Sequence, residues 1–108
     1  MIVTACPAAV VEAPRAAVWE LLGSPESLER WVDARLVSAE PPGPVQPGQR
    51  LRFVTGFLAR QFPVVMDVRE VEPAARLHLL VRLPFGVVND ETITMAEVGP
   101  GRTLVRFG

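Results

Sequence analysis

Few side chains in this chain are equipped for chemistry, and two of them stand two residues apart. Asn89 and Glu91 occupy alternate positions in the run VVNDETITM, and Ile93 and Met95 continue the same spacing. Successive side chains of a strand point to opposite faces, so these four share one face. With Ile93 and Met95 facing inward, an amide and a carboxyl stand in the interior beside them. A carboxyl enclosed by apolar side chains can serve as an acid or base near neutrality, and an inward amide can orient a ligand carbonyl. The competing reading is a bulge after Gly86 that shifts the register, or a place at the sheet's end in water.

The rest of the inventory is thin. His78 is the only histidine, and alternation puts it with Arg76 and Arg82, opposite Leu77, Leu79, Val81 and Leu83. It reads as a solvated outer-face residue, since one histidine with no paired acid is not a site. Cys6 is the only cysteine. That excludes an internal disulfide and any multi-cysteine metal site, and Cys6 reads as a small buried hydrophobe. All eleven basic residues are arginine, and there is no tyrosine. Schiff-base lysine and tyrosine acid–base chemistry are therefore out. No triad, metal cluster or phosphate-cradling glycine loop is present in the pattern, so no metal and no cofactor is expected.

These residues need elements to hold them. The stretch 14–32, PRAAVWELLGSPESLERWV, reads as two short helices broken at Gly23. Pro14 suits a first helical turn, and Val18, Leu21 and Leu22 form an i, i+3, i+4 apolar stripe. Gly23 ends the first helix in a left-handed turn. Ser24 caps the second, Pro25 follows, and Leu28, Trp31 and Val32 repeat the stripe. Trp19 lies off the first stripe, against the sheet edge; Trp31 is placed to cap a cavity mouth.

The remainder reads as strands. One covers 2–12, blurred by Pro7, and another covers 35–40. The proline-rich loop 41–48 cannot enter a sheet. Over 49–56, 62–71 and 76–83 the alternation is clear, with Leu51 and Phe53, then Phe62, Val64, Met66 and Val68, then Leu77 and Leu79 on one face. A strand over 86–98, a turn at Gly99-Pro100-Gly101 and a strand over 102–107 close the chain. In that last strand Thr103, Val105 and Phe107 share a face. The expected fold is α+β: a curved antiparallel sheet of about seven strands, with two short helices after the first strand covering one end of its apolar face.

Length allows one domain, residues 1–108, and 49% apolar against 21% charged residues describes a globular chain. A net charge of −1 gives no case for nucleic acid or an anionic membrane. No apolar run approaches the roughly 20 residues of a spanning helix, and the first residues lack a basic region, so a cytoplasmic place is expected. Arginine without lysine, amid much alanine, proline and valine, suggests high-GC bacterial coding.

Ala13, Pro14, Val18, Trp19 and Leu22 spell AP-x-x-x-VW-x-x-L, and Ser24, Pro25, Glu26, Leu28 and Trp31 spell SPE-x-L-x-x-W. With Pro47-Gly48 before a strand and Gly101, Thr103, Val105 and Phe107 in the last one, the chain resembles the helix-grip superfamily (SRPBCC). These are the START and birch-pollen-allergen-like proteins, among them the bacterial polyketide cyclase/dehydratase-like family. The resemblance implies a cavity between sheet and helices, lined by Trp31, Phe53, Phe62, Met66, Leu79, Met95 and Phe107. It also implies a long C-terminal helix, which this chain lacks. The domain is therefore expected to be C-terminally incomplete, or its open sheet face covered by a second copy or a partner. An uncovered face carrying Phe53, Phe62, Met66, Leu79, Val105 and Phe107 would be a large apolar patch.

Three functions follow as expectations. The first is a carrier or sensor for a hydrophobic, lipid- or polyketide-like molecule. The second is a polyketide cyclase/dehydratase-type enzyme with Glu91 as acid–base, Asn89 as orienting group and an inward arginine, Arg52 or Arg60, stabilising an enolate. The third is an interaction module completed by a partner element.

Overall fold

The computed structural model describes residues 2–3, 7–30 and 32–108. Cys6 and Trp31, singled out above, lie outside the described residues. The elements run β1 (Ile2–Val3), β2 (Ala8–Val11), α1 (Arg15–Leu22), α2 (Pro25–Glu29), β3 (Arg35–Glu40), β4 (Arg50–Phe57), β5 (Arg60–Glu72), β6 (Arg76–Arg82), β7 (Val88–Gly99) and β8 (Arg102–Phe107). A 3₁₀ turn, Pro84–Gly86, precedes β7. The seven longer strands form an antiparallel sheet in the order β2-β8-β7-β6-β5-β4-β3. No long C-terminal helix follows β8.

The first strand is where expectation and structure part. What reads as one strand is two: β1 runs parallel to the start of β7, while β2 pairs antiparallel with β8. Between β2 and β3 the chain must cross the whole sheet, from one edge to the other. The helix pair makes that crossing, with α1 packed over β7 and β8 and α2 against β3.

The helix pair is built largely as its sequence requires. Ser24 caps α2 by accepting from the Ser27 N–H at 3.1 Å, and the Ser27 hydroxyl answers by accepting from the Ser24 N–H at 3.3 Å. Leu28 is fully buried. Two details differ. Gly23 sits at φ −85°, ψ 1°, not in the left-handed region. What selects glycine is space: a Cβ there would lie 2.8 Å from the Trp19 indole nitrogen and 2.9 Å from the Trp19 carbonyl oxygen. And of the expected stripe, Val18 and Leu22 are buried while Leu21 stays 45% exposed. A helix of eight residues crossing a sheet obliquely contacts it along one narrow line.

The sheet's inner face carries the core: Leu51, Phe53, Val64, Met66, Val68, Leu77, Leu79, Ile93, Met95 and Val105 are all buried. The large uncovered patch expected from the sequence is therefore not present as such. Leu28, Val18 and Leu22 cover the face from the helices, and Val45 covers it from the 41–49 loop. That loop is tied down by Gln49, whose amide donates to the carbonyls of Pro41 at 2.8 Å and Gly43 at 3.1 Å. Bulges between Val68 and Glu70, and between Glu97 and Gly99, bend β5 and β7.

Candidate functional site

The register settles the question posed by Asn89 and Glu91. Asn89 stands opposite Val81, Glu91 opposite Leu79 and Ile93 opposite Leu77, with no shift between β6 and β7. The 3₁₀ turn takes up the irregularity near Gly86 before the strand begins, so both polar residues are on the inner face. They line a cavity of about 210 Å³ between the sheet and α2. Its sheet-side walls are Met66, Leu79, Val81, Ile93 and Phe107; Leu28 and Val32 close the helical side, and Leu83 stands at the rim. Within the cavity the Asn89 amide nitrogen donates to Glu91 Oε2 at 2.5 Å. The Asn89 carbonyl oxygen is buried with no hydrogen-bond partner.

A second hollow of about 190 Å³ adjoins the first across Phe107. Ala9 and Val11 of β2, Val18, Leu21 and Leu22 of α1, and Val105 line it, with no polar side chain among them. Leu21, 45% exposed, is part of its lining.

The other expected lining residues divide. Met66, Leu79 and Phe107 line the cavity. Phe53 and Met95 are buried in the core behind it. Phe62 belongs to the inner face by register but sits beyond the cavity, its ring 5.4 Å from that of the exposed Phe85. The arginines required for an enolate stabiliser are not at the site. Arg52 alternates with the buried Leu51 and Phe53 and therefore points out, and Arg60 is exposed at the end of the β4–β5 hairpin.

His78 faces outward as expected, but it has a paired acid: its Nε2 lies 2.5 Å from Asp90 Oδ1, diagonally across β6 and β7. Asp90 was legible in the sequence as an outer-face residue of the same strand as Glu91. The pair lies across the sheet from the cavity. Further along the outer face Asp67 bridges Arg50 at 2.8 Å and Arg82 at 3.2 Å. Its carboxylate is 14% exposed. Partial burial works to raise its pKa, but the hydrogen bonds and charges of the two guanidiniums outweigh it, so it titrates below the ordinary carboxylate range. Arg50, hydrogen-bonded to Asp67, is shifted upward in turn.

A wider polar cleft of about 380 Å³ lies between the 29–35 segment and β4–β5. Two of its polar groups are spent on the protein itself: Glu29 accepts the Leu36 N–H at 2.6 Å, and Thr55 donates to the Asp33 carbonyl at 2.9 Å. Among the described residues no group of His, Cys, Asp and Glu is arranged to hold a metal ion. Among them, too, no helix is long and apolar enough to cross a membrane.

The two helices after the first long strand, the bent sheet and the cavity between them describe a helix-grip domain, and residues 12–107 match the family described as "Activator of Hsp90 ATPase homolog 1-like protein". The chain belongs to that family. The family is a member of the helix-grip superfamily that the sequence resembles. No curated protein matches the chain. Solved structures of the same fold include protein Ms6760 from Mycobacterium smegmatis, with 20% identity and a TM-score of 0.75 over 94% of this chain and 68% of that one. DynU16, a protein of the dynemicin biosynthetic locus, is 21% identical with a TM-score of 0.71, over 94% of this chain and 35% of its own. The Aha1 dimer from Colwellia psychrerythraea is 15% identical with a TM-score of 0.64, over 94% and 71%. This chain thus spans from about a third to about seven-tenths of these relatives' lengths.

Proposed function

We propose that this member of the Activator of Hsp90 ATPase homolog 1-like family binds a hydrophobic small molecule in the cavity between the sheet and α2, as a carrier or sensor. One observation carries the reading. The cavity's walls are apolar side chains from both sheet and helix, and among the described residues its polar side chains are Asn89 and Glu91. Small-molecule sites have this make-up: apolar walls with few placed polar groups. The helix-grip fold typically binds hydrophobic ligands, and DynU16 comes from a biosynthetic locus, which favours a lipid- or polyketide-like molecule. Native mass spectrometry of the freshly purified protein, followed by the same sample denatured, tests this. An extra mass of small-molecule size that leaves on denaturation is the expected result. A protein that stays empty and fails to bind any apolar probe overturns it.

Two further readings each have an observation behind them. The contact between Asn89 and Glu91 inside the cavity favours a polyketide cyclase/dehydratase-type enzyme, with Glu91 as acid–base and Asn89 orienting the substrate. The lack of an arginine at the cavity counts against enolate stabilisation by this route. The apolar hollow beside Leu21 and Val11, with a relative solved as a dimer, favours a second copy or partner seated over that part of the sheet. Turnover of a poly-β-ketone that Glu91→Gln abolishes would establish the enzyme. A stoichiometric assembly that Leu21→Glu dissolves would establish the module.

A further inference from the structure

At the cavity's polar end Asn89 and Glu91 carry more acceptor oxygens than N–H donors. Glu91 Oε2 takes one N–H of the Asn89 amide. The Asn89 amide cannot turn over without setting its oxygen against the carboxyl group, so one of its two N–H groups is committed and its acceptor end, Oδ1, is left buried without a partner. Among the described residues the other lining side chains, Leu28, Val32, Met66, Leu79, Ile93 and Phe107 among them, offer no donor. A buried acceptor that gains no hydrogen bond pays its full desolvation.

We propose that the cavity selects a ligand whose polar end is a hydrogen-bond donor, a hydroxyl or an amine, on an apolar body. This rests on the reading of the cavity as a small-molecule site and adds the chemistry of the ligand's head. An O–H or N–H placed at the Asn89–Glu91 pair satisfies acceptors that the protein leaves unfilled. A carboxylate-headed ligand offers Oδ1 no donor and sets a second carboxyl group beside Glu91. The cavity therefore discriminates against fatty acids of the same tail.

Calorimetric titration with three ten-carbon probes, 1-decanol, decylamine and decanoate, each below its micelle concentration at neutral pH, tests the selection. Decanol and decylamine are expected to bind about tenfold or more tightly than decanoate, the factor that a hydrogen bond of about 1.4 kcal/mol supplies. Tighter binding of decylamine than of decanol would further assign the Glu91 carboxyl group a part in the selection. In Glu91→Gln, checked for folding by circular dichroism, the new amide can donate, and the preference against decanoate is expected to shrink. Decanoate binding the native protein as tightly as decanol overturns the proposal while leaving the cavity a ligand site. Failure of all three probes overturns both.

Discussion

Replacing Gly23 with alanine sets two effects against each other, and the structure says which wins. The backbone at Gly23, φ −85° and ψ 1°, is open to any residue. On conformational grounds alone the substitution would stabilise by about 0.4–1 kcal/mol, by restricting the unfolded chain. The space is not open. The new Cβ would lie 2.8 Å from the indole nitrogen of Trp19 and 2.9 Å from its carbonyl oxygen. The indole is packed against the core, and the carbonyl is held by the Gly23 N–H at 2.7 Å, so neither moves freely. The Gly23 carbonyl in turn receives the Val45 N–H at 3.1 Å, so a shift of this residue pulls on the loop that covers β4 and β5. Overpacking of this kind costs about 1–3 kcal/mol. The net expectation is destabilisation of about 1 kcal/mol or more, which lowers the melting temperature by about 4 °C or more in a domain of this size. Gly56→Ala is the control, since nothing lies within 4 Å of a Cβ there. Urea unfolding followed by circular dichroism compares the three proteins. A Gly23→Ala protein as stable as Gly56→Ala would refute the packing argument.

Four other substitutions have expected outcomes. Asp67, with its pKa held below the ordinary carboxylate value, adds stability that is present above about pH 4 and is lost as pH falls through its lowered value. The gap in unfolding midpoint between the native protein and Asp67→Asn should therefore be open at pH 7 and close in acid; a gap unchanged at pH 2 would refute the assignment. Thr103 is fully buried and its hydroxyl donates to the Ala13 carbonyl at 2.7 Å, fixing the chain between β2 and α1. Thr103→Val keeps the shape, strands that carbonyl and should cost about 1–3 kcal/mol in denaturant titration. Leu22→Ala should cost about 2–5 kcal/mol and its exposed neighbour Leu21→Ala less than about 1 kcal/mol, an ordering that thermal unfolding reads directly.

Most of the sheet was legible because a strand with one buried face must alternate. Leu51 with Phe53, Val64 with Met66, and Leu77 with Leu79 announce their faces without any knowledge of their partners. The same period placed Asn89 and Glu91 with Ile93 and Met95. The helix pair was legible from Ser24, Pro25 and the spacing of Val18, Leu22 and Leu28, which are local signals. Gln49 was missed, although it shares a face with Leu51 and Phe53; a polar residue in phase with a buried run is the signal that would have found it.

What the sequence by itself determined is which residues share a face, since that depends only on the repeat of each element's own backbone. What the tertiary structure decided is what each face meets. Pairing β2 with β8, almost a hundred residues apart, and sending the helices from one edge of the sheet to the other leaves Leu21 over a hollow and Leu22 in the core. It brings Leu28 and Val32 over Glu91 to make a cavity of what alternation alone shows only as an inner face. Those contacts join residues that local periodicity never compares.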